Sequence, residues 1–345
     1  MKAVRIHESG GVEKFVYEDA PDPEVAANEV LVRVKGCALN HLEVWATVMP
    51  PGTTFSKPRV LGSDVAGVVE AVGDAVSGIE VGSKVMIQPG VSCGICQACL
   101  AGADNLCPSY SILGQGPWDG GFAELIKIPA ANIIPMPGNL SFEEAASIPL
   151  VFVTAWHMLV TRADLQRNET VLVNAAGSGV GIAAIQIGKL LGARVIASAG
   201  SNAKLEKARA LGADEGINYN SGDLGQETLR LTDSRGVDVV FEHIGGEIFE
   251  KSVQALARNG RLVTCGVTAG RTADFNIWSF FLRQQSFLGS FMGTKSELLG
   301  MMPYFRNGQL RPVVDRVYPL SEVQAAVRQL ASRDHFGKIV LAPSG

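Results

Sequence analysis

The chain predicts an α/β protein in two parts, a β-rich, barrel-like domain followed by a doubly wound parallel sheet. Three observations carry this. Short strand-like runs broken by glycine and proline fill the chain as far as Ile128. From Glu169 onward, short apolar strands alternate with helical runs. A glycine-rich turn joins the first of those strands to an apolar helix. At 345 residues the chain is also long for one hydrophobic core, so two domains are the default.

Taken in order, Val30–Val34, Val65–Val72, Lys84–Gln88 and Phe122–Ile128 read as strands. Gly62, Gly67, Gly73, Gly78 and Gly82 interrupt them at short intervals, as in a compact barrel. Pro129 to Gly138 holds three prolines and reads as a boundary. Ser141 with Glu143 and Glu144 then opens a helix through an N-cap and an acidic first turn. Beyond it, strands are expected at Val171–Asn174, Arg194–Ala199, Gly216–Asn218, Val237–Glu242 and Arg261–Cys265. Helices are expected at Val180–Leu191, Lys204–Leu211 and around Ala255. Near the end, strands at Pro312–Tyr318 and Lys338–Leu341 flank a helix at Glu322–Ser332 and could rejoin the first domain.

Composition narrows the setting. Hydrophobic residues make up 47 % of the chain and mean hydropathy is +0.19, which suits strands buried on both faces. Formal charge is −4, from 30 basic and 34 acidic residues without a basic cluster, so nucleic acid is not an expected partner. Met1 to Ile6 alternates like a strand and does not read as a signal peptide. No apolar run reaches the length of a membrane span. A cytoplasmic enzyme is the expectation.

Four of the six cysteines, Cys93, Cys96, Cys99 and Cys107, follow the spacing C-x2-C-x2-C-x7-C. One loop can thus surround a single Zn²⁺ with four thiolates. A full tetrahedral shell leaves no place for substrate, so such an ion holds a loop and does no chemistry. Two disulfides or an iron–sulfur cluster are the competing readings.

The run Val171-Leu-Val-Asn-Ala-Ala-Gly177-Ser-Gly179-Val-Gly181 reads strand, tight turn, helix. Its glycines let the backbone approach a pyrophosphate, which then meets free N–H groups at the helix start, so Gly177, Ser178, Gly179, Val180 and Gly181 are expected against a dinucleotide. An NAD site ordinarily carries a carboxylate at the end of the second strand. Here Ala199-Gly-Ser-Asn-Ala-Lys204 has none, while Ser201 and Lys204 suit a 2′-phosphate, so NADP(H) is expected. A plain N-cap for Ser201 and a solvent-facing lysine are the bland alternatives.

These residues resemble the medium-chain dehydrogenase/reductase superfamily over essentially the whole chain. The carriers are the four-cysteine lobe, Gly62-Ser-Asp-Val-Ala-Gly67, Asn174-Ala-Ala-Gly-Ser-Gly-Val-Gly181, Val237-Asp-Val-Val-Phe-Glu-His-Ile-Gly245 and the closing Gly337-Lys-Ile-Val-Leu. The resemblance implies a GroES-like catalytic domain (1–130, zinc lobe at 93–107), a Rossmann domain (131–300) and a return segment (301–345), assembled as a homodimer or homotetramer. Zinc-dependent alcohol dehydrogenases of this family hold a catalytic zinc with Cys, His and Cys. Here those positions fall on Asn40, Ser63 and near Leu150, none an ordinary zinc ligand. Asn40 is what the zinc-free quinone oxidoreductase and enone reductase branches carry, although those branches generally lack the cysteine lobe.

Reduction of a quinone or an activated C=C asks only that donors steady the carbonyl oxygen while hydride arrives. The expected function is therefore NADPH-dependent reduction of a small apolar quinone or α,β-unsaturated carbonyl compound, with one structural zinc. Alcohol dehydrogenase activity and a non-catalytic nucleotide-binding role are the alternatives. Asn40, His41 and Asp64 are the candidate catalytic residues. A ribose contact is the rival role for Asn40 and His41, and a capped turn for Asp64. By resemblance, Thr154, Gly266, Val267, Thr268, Gly289, Ser290 and Met292 follow the cofactor. Lys338 is expected at the adenosine phosphate or in a salt bridge. Trp45, Phe55, Trp118 and Phe152 predict an apolar cleft, or simply core, and His157 is expected to pack.

Overall fold

Val30, Val32 and Val34 alternate with Leu31, Arg33 and Lys35, and the strand they form turns the three valines into a core. The computed structural model describes residues 1–47 and 54–343. The chain divides into two units, residues 1–150 with 294–345, and residues 151–293. The first unit therefore extends past the expected boundary at 130. The short helix opened by Ser141, which closes a full capping box with Glu144, packs on the barrel strands.

In the first unit β1 (Lys2–Glu8) lies between β2 (Val16–Asp19) and β4 (Thr54–Val60). The longer strand β3 (Glu29–Ala38) pairs antiparallel with β5 (Asp64–Val72), and β5 with β6 (Lys84–Ile87). A two-residue pair, β7 (Gly90–Val91) and β8 (Ser111–Ile112), brackets the cysteine lobe. β9 (Leu125–Pro129) adds to β3 and β10 (Ile133–Pro135) to β6. The short helix α1 (His41–Thr47) follows β3 directly. Gly62 sits at φ +98°, where a Cβ would stand 2.5 Å from Phe122 and 2.7 Å from the Cys37 sulfur, so this turn admits only glycine.

The second unit is a six-stranded parallel sheet. Its strands are β11 (Thr170–Val173), β12 (Arg194–Ala199), β13 (Glu215–Asn218), β14 (Val237–Glu242), β15 (Leu256–Thr264) and β16 (Ser286–Gly289), in the order 13-12-11-14-15-16. The order reverses between β11 and β14, which makes their carboxyl ends the switch point of a doubly wound fold. Helix α2 (Gly179–Leu190) follows β11, and α3 (Asn202–Ala210) follows β12, each within two residues of its expected bounds. β15 starts earlier than expected because the chain passes directly from helix α4 (Gly246–Ala255) into the sheet at Leu256. β16 is the edge. The helix α5 (Ile277–Leu282) ahead of it leaves Ile277 69 % and Trp278 68 % exposed.

The chain then returns to the first unit. Helix α6 (Lys295–Arg306) is tied to the cysteine lobe by the Lys295 N–H on Asp104 Oδ1 at 3.1 Å. β17 (Val314–Pro319) and β18 (Lys338–Ala342) pair in parallel, and β18 joins β3 antiparallel, completing a seven-stranded sheet among the described residues. Helix α7 (Val323–Ser332) covers part of its core with Val323, Ala326 and Val327. No helix among the described residues is long and apolar enough to cross a membrane.

Candidate functional site

Register alone brings three distant polar residues together in the first unit. Ala38 of β3 pairs with Asp64 of β5 on one side and with Val340 of β18 on the other. Asn40, two residues past Ala38, therefore meets Asp64 and Lys338, two residues before Val340. Asn40 Nδ2 donates to Asp64 Oδ2 at 2.9 Å, and Lys338 Nζ donates to Asn40 Oδ1 at 2.5 Å and to Asp64 Oδ2 at 2.9 Å. The other carboxylate oxygen, Asp64 Oδ1, accepts the Leu150 N–H at 2.7 Å.

All of these side chains are buried, so the ion pair survives only because each charge is matched and hydrogen-bonded. The same contacts fix the Asn40 amide. Its oxygen must face the ammonium, which only donates, and its nitrogen must face the carboxylate, which only accepts. One Nδ2–H of Asn40 is left over from these bonds.

Glu43, in the first turn of α1, accepts the Asn40 N–H on Oε2 at 2.5 Å, while its Oε1 has no hydrogen-bond partner. Burial pushes this carboxyl up to about 7, against the pull of the Asn40 N–H and of Lys338. Burial likewise drives the Cys37 thiol well above its ordinary value. His41 opens α1 and sets its ring edge-on to Trp45, with centroids 5.7 Å apart. Ser63 spends its hydroxyl on the Leu113 carbonyl at 2.8 Å. Of the two roles expected for Lys338, the salt bridge is the one with partners here.

The lobe cysteines converge. Their four sulfurs lie within 4.8 Å of one another, with Cys96–Cys99 at 3.5 Å, Cys93–Cys107 at 3.6 Å and Cys93–Cys99 at 3.9 Å. Sulfurs on a tetrahedral zinc stand about 3.8 Å apart, so the four fit that ion. The N–H groups of Ile95 and Cys96 pull the Cys93 thiol down to about 6, whereas Cys96, against the pull of the Cys99 N–H, is pushed up to about 11 by burial and the neighbouring thiols. Among the described residues this is the one group of three or more His, Cys, Asp or Glu side chains close enough to hold a metal.

In the second unit Ser178 caps α2, accepting the Gly181 N–H at 3.0 Å, so Gly177 to Gly181 form the turn and first residues of that helix. Gly181 is needed there because a Cβ would stand 2.5 Å from the Ala175 carbonyl. Ser201 caps α3 through the Lys204 N–H at 3.3 Å, which places Lys204 in the first turn. Thr154 is 4 % exposed and its Oγ1 has no hydrogen-bond partner. Gly266, Val267 and Thr268 follow β15, and Thr268 Oγ1 reaches the His243 carbonyl at 3.5 Å. Gly289 closes β16 and gives its carbonyl to Arg162 at 2.9 Å. Ser290 bonds back to Thr264 through its N–H at 2.9 Å, and Met292 turns at φ +53°.

Of the cleft aromatics, Phe152 is fully buried, Trp118 packs on the first core and Trp45 is partly exposed. The Phe55 side chain lies outside the described residues. His157 is buried, as expected. Sequence reasoning missed Glu43 and His243. Glu43 was legible as a carboxylate three residues after Asn40, in capping-box spacing.

Family models match both parts of the chain, an alcohol dehydrogenase GroES-like domain over residues 26–138 and a zinc-binding dehydrogenase over 179–307. A crystal structure of an NAD-dependent alcohol dehydrogenase is 48 % identical, with a TM-score of 0.95 over 99 % of both chains. An NAD-dependent alcohol dehydrogenase of Sulfurisphaera tokodaii is 31 % identical over 99 % of this chain and 100 % of its own length. Bovine quinone oxidoreductase-like protein 2 is 30 % identical over 95 % of this chain and 89 % of its own. The chain also matches a stretch of the spectinabilin polyketide synthase system protein NorB of Streptomyces orinoci at 36 % identity, spanning only 14 % of that protein.

Proposed function

The chain belongs to the medium-chain dehydrogenase/reductase superfamily of zinc-binding, GroES-like dehydrogenases, and on that premise we propose that it reduces a quinone or the activated C=C of an α,β-unsaturated carbonyl compound with NADPH, without a catalytic metal. One observation carries this reading. By the resemblance, the family's metal-ligand positions fall on Asn40, Ser63 and near Leu150, none of them an ordinary zinc ligand. Asn40 is bonded to Lys338 and Asp64, Ser63 to the Leu113 carbonyl, and the Leu150 backbone to Asp64.

A bound nicotinamide supplies the hydride. The chain supplies orientation and charge. Lys338 and Asp64 lock the Asn40 amide so that its remaining Nδ2–H serves as a donor to a carbonyl oxygen gaining charge. His41, at the start of α1, is proposed to relay a proton or to hold the nicotinamide ribose. Thr154, with its unpartnered buried hydroxyl, and the stretches at Gly266–Thr268 and Gly289–Met292 are proposed to line the cofactor, and Gly177–Gly181 to receive the diphosphate. The missing acid after Ala199, with Ser201 and Lys204 there instead, supports NADP(H) over NAD(H). Cys93, Cys96, Cys99 and Cys107 are proposed to hold one structural Zn²⁺. The exposed face at Ile277 and Trp278 beside the β16 edge supports assembly as a homodimer or homotetramer. The setting proposed is cytoplasmic.

Alcohol dehydrogenase activity is the second reading, favoured by the 48 % identical structure and the Sulfurisphaera relative, both NAD-dependent alcohol dehydrogenases. Nucleotide consumption measured across quinones, enones, enals and enoyl thioesters, with NADPH beside NADH and with alcohols in the reverse direction, separates the two. Turnover of alcohols alone would discard the reductase.

A further inference from the structure

We propose that His243 is a positioning residue for the dinucleotide, acting through the Ser178 hydroxyl at the switch point of the parallel sheet. The inference rests on the nicotinamide-dinucleotide reading above and on no particular substrate.

His243 stands one residue past β14, and Asn174 one residue past β11, at the pair of strands where the sheet order reverses. Its imidazole is 7 % exposed and reaches back across that point. Nε2 lies 3.2 Å from the Asn174 carbonyl oxygen and 3.3 Å from Ser178 Oγ. The backbone around it is pinned. Glu242 Oε1 accepts the Ile244 and Gly245 N–H groups at 2.6 and 2.8 Å, and Glu242 Oε2 accepts the Thr264 hydroxyl at 2.9 Å. Asn174 is held as firmly, its side chain donating to Ser252 at 2.8 Å and accepting from Ser198 at 3.0 Å.

The proton assignment follows from what each atom can do. A backbone carbonyl only accepts, so the nitrogen facing Asn174 carries the hydrogen. Burial holds the imidazole near 4, so it stays neutral at ordinary pH and has a single N–H to give. That one N–H is shared, in a three-centre bond, between the Asn174 carbonyl and Ser178 Oγ, so Ser178 Oγ accepts from it and from the Gly181 N–H, which uses both of its lone pairs. The hydroxyl's own proton is left to donate, at the N-terminus of a twelve-residue helix, where an anionic phosphate oxygen is the fitting acceptor. His243 thus sets the direction in which Ser178 points its hydrogen. It also links two stretches assigned to the cofactor, since its carbonyl meets Thr268 Oγ1 at 3.5 Å and a Cβ on Gly266 would stand 2.7 Å from it.

The test is a double-mutant cycle read by direct binding of ADP-ribose and NADPH, with no substrate present. His243→Leu and Ser178→Ala should each weaken ADP-ribose about tenfold, and the double variant should lose no more than either alone. His243→Gln, which keeps an N–H at the Nε2 position, should stay within about threefold of the parent. At saturating nucleotide, kcat should change far less than the KM for nucleotide. Additive losses in the double variant, or a Gln variant as weak as Leu, would overturn the proposal. If His243→Leu does not fold, His243→Phe, which also removes the N–H and keeps a ring of similar size, carries the same cycle with Ser178→Ala. A parent protein that binds neither nucleotide contradicts the dinucleotide reading itself, a separate result from failure of the cycle.

Discussion

Lys338 holds its ammonium 2.9 Å from the Asp64 carboxylate in a pair closed to solvent, with side-chain exposures of 5 % and 0 %. Removing one partner leaves the other buried and unmatched, at a cost of about 3–5 kcal/mol. Lys338→Met should therefore be strongly destabilised in chemical denaturation. Lys338→Met with Asp64→Asn should regain much of that loss yet remain inactive, because the Asn40 amide has lost its orientation. A double variant that turns over like the parent would deny the pair its role in catalysis.

Glu43 gives stability a pH dependence of defined sign. Its carboxyl rises from 4.5 to about 7 in the folded chain, so between those values the folded state binds the extra proton. Stability from this group is complete below pH 4.5 and is lost as pH climbs through about 7, by on the order of 3 kcal/mol. Glu43→Gln should flatten that stretch of the stability–pH curve. Parallel curves for variant and parent would show that Glu43 ionises normally.

Metal analysis should find one zinc per chain, bound by the lobe. Cys99→Ser should release it and lower the melting temperature, since the folding energy of such a loop is largely metal binding. Unchanged metal content after that substitution would reject the four-sulfur site.

Cofactor choice is tested at α3. Lys204→Ala should raise the KM for NADPH about tenfold and leave that for NADH nearly unchanged, as expected for loss of one charge-assisted phosphate contact. Equal changes for the two nucleotides would remove Lys204 from the 2′-phosphate.

Light scattering should report a dimer or tetramer. Placing a charge on the exposed aromatic face, as Trp278→Glu, should shift it toward monomer. An unaltered mass would move the interface elsewhere.

The legible parts of this protein are those written locally. The cysteine spacing, the glycine turn at Gly177–Gly181 and the apolar strands each depend on residues a few positions apart, and the parallel sheet follows from their alternation. The Lys338–Asp64 pair spans 274 positions and exists only because β18 and β5 flank β3. A salt bridge is one role the sequence allows Lys338, but nothing near Gly337-Lys-Ile-Val names Asp64 as its partner. His243 is hidden in the same way, inside an apolar strand end where a packed histidine is the ordinary expectation. The start of β15 was obscured because helix and strand adjoin at Ala255–Leu256 without a turn residue.

Deuterium tracing tests the central claim most directly. With NADPH deuterated at the transferring position and a simple enone as acceptor, the label should appear on the carbon β to the carbonyl, in a saturated ketone. Label on the carbonyl carbon of an allylic alcohol would contradict the account and make the protein a carbonyl reductase.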